Sequence, residues 1–188
     1  MRTFKRISVL AVAVFALSAI GAANASASAF TASSTGELSG KQLETQKFKT
    51  NGGTVECKKA SISGTVEKLE STEQEETVDY AECAGFGFPV HITAHVRIRL
   101  TFFRIHFKIK FTFTITGGIF GECTITVGEQ EVGSVTYTNN SGKVKVTPNP
   151  VAAIKYTSSG GICGSSGENG EYSGATEIEK VGGTLSVD

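Results

Sequence analysis

Seven carboxylates between Glu67 and Glu82, the histidines His91, His95 and His106, four cysteines and a run of cations from Arg97 to Lys110 are the groups here with chemistry to offer. The carboxylates are Glu67, Glu70, Glu73, Glu75, Glu76, Asp79 and Glu82. A glycosidase needs two of them flanking a sugar. The chain has no Trp to stack that sugar, and no isolated pair stands out, so the run reads as a solvated acidic face. His91 and His95 have the spacing that shares one metal ion on a helix. On a strand they lie about 13 Å apart, too far for one ion. There is no G-x-S-x-G, H-E-x-x-H or C-x-x-C. Gly36–Lys41 (GELSGK) mimics a phosphate-binding loop but is one residue short, and Gln42 stands where Ser or Thr is needed. No catalytic residue, metal site or cofactor is therefore assigned.

The cysteines are Cys57, Cys83, Cys123 and Cys163. None lies close enough to another for zinc-type spacing, and an even number in an exported chain reads as two disulfides. Of three connectivities, Cys57–Cys83 and Cys123–Cys163 are favoured, because each pair flanks a compact block of strands. Each would contribute about 3.5–4 kcal/mol on the loop-entropy model, an upper value.

The cations belong to a ribbon that alternates from Val90 to Thr116. Val90, Ile92, Ala94, Val96, Ile98, Leu100 and Phe102 are apolar at even positions; Phe103, Ile105, Phe107, Ile109, Phe111, Phe113 and Ile115 are apolar at odd ones. A period of two means β. The opposite face carries the three histidines with Arg97, Arg99, Arg104, Lys108 and Lys110. A single strand this long would reach roughly 90 Å, so the ribbon must fold back or bend where parity flips, at Phe102–Phe103. A hairpin would pair Leu100 with Phe103, Ile98 with Ile105 and Val96 with Phe107. It would also set Arg99 against Arg104 and His95 against Lys108, and like charges directly opposite destabilise. Thr-Phe is also a poor primed turn. A β-bulge flips parity too. Either way the basic face wants a negative neighbour, and the strand Thr77–Cys83 with the acidic loop Glu70–Glu76 can supply one.

The remaining chain reads as short strands punctuated by glycine: about ten to twelve in all, an all-β, antiparallel β-sandwich with a long central hairpin or bulged ribbon. Separate strands are expected at 29–40, 46–50, 54–57, 61–69, 122–127, 133–138, 143–147, 151–157, 172–180 and 184–187. Asn51-Gly52 marks a hairpin turn, and Asn139-Asn140-Ser141 fits a glycosylation sequon. The N-terminus reads as a signal peptide helix over 1–27: Arg2, Lys5 and Arg6, then the apolar Ile7–Ile20, then small residues. Cleavage is placed after Ala27, with Ala25 and Ala29 as alternatives. That leaves 28–188 as one secreted domain of 161 residues (188 − 27) and formal charge 15 − 18 = −3. Nothing global argues for nucleic acid, and no later stretch could span a bilayer as a helix.

Four segments carry a resemblance: FKTNGGTVECKKASISGTV (48–66), YAECAGFGFPV (80–90), ECTITVGEQEVGSVTYTNN (122–140) and ICGSSGENGEYSGATEIEKVGGTLSVD (162–188). They resemble small secreted proteins of soil actinobacteria, a Solirubrobacter-type paralogue family. The resemblance covers most of the mature chain and is most specific around the cysteines. It implies export and a compact β fold, and carries over no catalytic residues. Members have a further cysteine pair in the central region, where this chain has its basic ribbon. With that pair absent, the remaining four cysteines should join as above.

The resulting expectation is a non-enzymatic secreted or cell-wall-associated module. Its contact surface would be Arg97, Arg99, Arg104, Lys108 and Lys110, and its partner an anionic wall polymer or polysaccharide. The alternatives are a self-assembling extracellular, matrix-type protein, since Ile105–Ile115 has an aggregation-type composition, and a secreted hydrolase.

Overall fold

The computed structural model describes residues 29–85, 88–101, 104–116, 122–149, 151–161 and 163–188. The expected leader, 1–27, and the expected hairpin or bulge at Phe102–Phe103 lie outside these. The strands are β1 (Phe30–Ala32), β2 (Gly36–Gln42), β3 (Gln46–Thr50), β4 (Gly53–Val66), β5 (Glu70–Ser71), β6 (Glu73–Gly85) and β7 (Phe88–Thr101). They continue with β8 (Arg104–Thr116), β9 (Glu122–Asn140), β10 (Lys143–Pro148), β11 (Val151–Ser159), β12 (Gly167–Ser173), β13 (Thr176–Lys180) and β14 (Leu185–Val187). The fold is all-β and antiparallel, as the alternation requires.

The two layers are not separate sheets, because β4 and β9 belong to both. Along one edge β4 pairs first with β3 and then with β2; along the other it pairs with β6. Along one edge β9 pairs first with β11 and then with β10; along the other it pairs with β8. The ladder β4-β6-β7-β8-β9 therefore returns to β4 by two routes, β10-β13-β2 and β11-β12-β3. Each circuit has eight strands, a number whose interior side chains can fill.

The corners appear in the sequence as breaks in alternation. Lys58 and Lys59 are both exposed, as are Ala81 and Glu82 at the same level of β6, and Glu82 takes a positive φ of 53°. Parity flips in both strands together, and Lys59 forms an ion pair with Glu82 across the bend. In β9 the flip falls between Val127 and Val132, both buried, and Gly133 follows at φ 49°. The separate strands expected at 54–57 and 61–69, and at 122–127 and 133–138, are thus single bent strands. A parity break marks a corner here, not an end.

Two expectations need correcting. The acidic segment Glu70–Glu76 is not a loop: Glu70–Ser71 is β5, and Glu73 opens β6. The ribbon does fold into a hairpin, but Leu100 pairs with Ile105, Ile98 with Phe107 and Val96 with Ile109, each two residues along β8 from the expected partner. A two-residue slip leaves every side chain on its own face, so alternation could not choose between the registers.

The interior is built from residues such as Leu38, Val55, Ile62, Ile125, Val127, Val144, Ile154 and Ile178, all buried. One end is covered by the small sheet β14-β1-β5, which contributes Phe30, Ala32 and Leu185 to the same core. Its ends meet: Ala29 and Asp188 exchange backbone hydrogen bonds at 3.3 and 3.1 Å. Two-residue loops join β3 to β4 and β9 to β10. Ser141 and Gly142, at φ 51° and 81°, give the paired positive values of a type I′ turn. The strand expected over 172–180 divides at Gly174, whose φ is 138°. Gln46 packs so closely there that a Cβ would collide with it.

Candidate functional site

The exterior of β6–β9 gathers the charged groups. In β6, Gln74, Glu76 and Val78 are buried while Glu73, Glu75 and Asp79 are exposed, so odd positions from 73 to 79 lie outward. Backbone register carries that parity across the sheet. One row of directly opposed positions reads Glu75, Arg97, Lys108, Glu131, and the next reads Glu73, Arg99, His106, Ser134. A third reads Thr77, His95, Lys110. Arg104 pairs with Thr101 at the hairpin end, two residues before His106 and beyond the residues matched to β9. All five candidate cations thus fall on β7 and β8, four of them in adjacent outer-face rows. The acidic strand lies beside them as expected, and β9 adds Glu131. Lys110 is exposed and has no carboxylate opposite it in register.

The cysteines form the expected bonds, Cys57–Cys83 and Cys123–Cys163. The first joins directly opposed positions of β4 and β6. The second ties the start of β9 to the glycine-rich segment before β12. That segment lies against the β3–β4 turn so closely that a Cβ on Gly52 would collide with the Cys163 carbonyl. The turn is also held by the Tyr156 hydroxyl, which accepts from the Asn51 N–H at 2.8 Å.

The phosphate-loop mimic is strand β2, paired with β4 and β13; its backbone amides serve the sheet. The sequon residue Asn139 is likewise engaged. Its side-chain amide donates to the Val187 carbonyl at 2.9 Å and accepts from the Val187 N–H at 2.8 Å, tying β14 to the edge of β9. Among the described residues, no three His, Cys, Asp or Glu side chains converge as a metal site.

The interior holds polar groups that sequence reasoning passed over. Glu76 is 3 % exposed, opposite Gly64 and Val96 in register. Its Oε1 has no hydrogen-bond partner, and neither has the buried Tyr137 hydroxyl or the Gln42 Oε1. Burial pushes the Glu76 carboxyl up to about 8, because a buried carboxylate loses its hydration. Burial, and then the charge of Glu76, holds the Tyr137 phenol well above its usual 10. A second set is bonded throughout. The Tyr172 hydroxyl donates to Gln46 Oε1 and lies 3.3 Å from the Tyr80 hydroxyl. The Gln46 amide donates to the Glu44 and Ala175 carbonyls at 2.9 and 3.1 Å. Burial raises both phenols, that of Tyr172 most strongly. The signal for Glu76 was available in Gln74-x-Glu76-x-Val78-x-Tyr80, where the carboxylate shares the parity of a buried Val.

No family model, curated protein or solved structure matches the chain.

Proposed function

We propose that this protein is an exported, non-catalytic interaction module that holds anionic polymers of the cell wall or matrix against the outer face of β7 and β8. The observation that carries the reading is the register of those strands. It sets Arg97 opposite Lys108, His95 opposite Lys110 and Arg99 opposite His106. Directly opposed like charges destabilise a sheet, so a basic surface built this way incurs a cost that a polyanion would offset. Flanking carboxylates at Glu73, Glu75 and Glu131 offset part of it at the sides. Arg104 and Lys110 have no such register partner and form the centre of the proposed contact.

Two disulfides are compatible with an oxidising, extracellular setting. No described helix is long and apolar enough to cross a membrane. Outward positions such as Lys47, Lys49, Glu56, Glu73 and Glu75 are exposed charges, whereas a membrane-spanning barrel carries an apolar band there. The family resemblance supports export as well. Assembly through sheet edges finds little support, since β8, with its aggregation-type composition, has a neighbour on both sides and a closed ladder has no edge to template.

The test is binding of a sulfated polysaccharide and of a linear polyphosphate across a salt series. Affinity should fall as salt rises, through screening. Arg104→Glu with Lys110→Glu should weaken binding at least ~10-fold, equivalent to about 1.4 kcal/mol, while Lys41→Glu, on the far side of the ladder, should not. Absence of binding at low salt, or equal loss in the control, would refute the reading.

A further inference from the structure

We infer that the small sheet β14-β1-β5 is a lid on the barrel whose closure depends on Glu76 remaining uncharged. The inference is independent of the proposed outer-face function.

Three features place the dependence there. The lid is continuous with the strand that carries Glu76: β5 ends at Ser71 and β6 begins at Glu73. The Ser71 hydroxyl donates to the Glu73 carbonyl at 2.6 Å and accepts its N–H at 3.2 Å, so the link is a short, fixed turn. The lid's main plug is Phe30, 2 % exposed, and it packs edge-on against Tyr137 with ring centroids 5.4 Å apart. Tyr137 and Glu76 both hold buried oxygen atoms without partners, and the charge of Glu76 is felt at the Tyr137 phenol.

The packed elements offer that charge little compensation. On β4 the neighbouring inward residues are Ile62 and Val66, on β2 Leu38 and Gln42, and on β13 Ile178. The β7 positions sharing this parity are Ala94, Val96 and Ile98. The charged inward side chain on the neighbouring β13 is Lys180, whose ammonium donates to the Val181 carbonyl at 2.6 Å. Ionised, Glu76 would be a buried charge with no partner, and such groups are relieved by admitting water. The least costly route for water is the lid rather than the continuous wall: its own ladders are short, three pairs between β1 and β14 and two between β1 and β5, and β14 is tied to the wall through Asn139 and the Gly142 carbonyl.

The carboxyl's upward displacement puts the change near pH 8. Tyr137 keeps its proton there, being held well above 10, and the ribbon histidines occupy outer-face register positions. Hydrogen exchange on the full-length protein reads the lid directly. Between about pH 7 and about pH 9, amides of β1 and β14, corrected for intrinsic rate, should gain at least ~10-fold in exchange, while central β4 amides stay unchanged. In Glu76→Gln the lid amides should keep their neutral-pH protection throughout. If that variant fails to fold, the wild-type comparison of lid with β4 still decides. Equal acceleration of lid and β4, no acceleration of either, or an identical response in folded Glu76→Gln would overturn the inference.

Discussion

Glu76 keeps its proton in the folded protein up to about pH 8, against 4.5 for an ordinary glutamate. Between those values the native state binds a proton that the unfolded chain has released. The Glu76 contribution to stability is therefore fullest below about 4.5, declines as pH rises toward 8 and then levels off. Urea titrations at stepped pH should show this slope in the wild type, on the order of a few kcal/mol in total, and a flatter profile in Glu76→Gln. Tyr172→Phe tests the other interior group. It would leave Gln46 Oε1 without the phenol that now donates to it, and should cost about 1–3 kcal/mol by chemical denaturation. Neither role could be read from composition. An acidic run ordinarily faces water, and only the parity shared with Val78 marks Glu76 as inward; Tyr80 and Tyr172 find each other across 92 residues of chain.

At the level of elements, the alternation of residues 90–116 was enough to specify β structure and a break at Phe102–Phe103, but left a hairpin and a bulge both open there. It could not specify register, because a slip by two residues preserves every face. The breaks at Lys58–Lys59 and Gly128–Glu131 were legible as interruptions, but a strand that ends and a strand that changes layer interrupt alternation alike. What separates them is the partner strand: β6 breaks at the same level as β4, and β8 runs on past the extra residue of β9. The bulge in β11 offers a measurement. Ala153 takes a positive φ of 60°, within the shift in register with β12 between Val151 and Ile154. Left-handed backbone costs an L-residue roughly 1–2 kcal/mol, and glycine escapes most of that. Ala153→Gly should accordingly raise the melting temperature, with a net gain of about 0.5–1 kcal/mol. Removing Cys123–Cys163 by a double Ala substitution should cost about 2–5 kcal/mol and release the segment packed on the β3–β4 turn.

For the molecule as a whole, an all-β antiparallel fold of ten or more strands and the disulfide connectivity were readable from glycine punctuation, period-two runs and four cysteines. The closing of the ladder was not, since it depends on both ends of β4 and β9 finding different partners. The structure also bears on where a leader would be cut. Ala29 is 4 % exposed and hydrogen-bonds to Asp188 through both its N–H and its carbonyl. On the export proposed above, cleavage after Ala29 would discard those bonds, and intact mass of the mature protein should place the first residue at Ser28, or earlier, and not at Phe30.

The pairing of β1 with β14 sets an order of assembly. In a chain made from its N-terminus β1 appears long before β14, yet the two are neighbours in the finished sheet. β1 can pair with β5 early, but its other edge stays open until β14 is free. Truncation by even three or four residues at the C-terminus would then leave Phe30 without its support and the top of the barrel uncovered, however well the rest had formed.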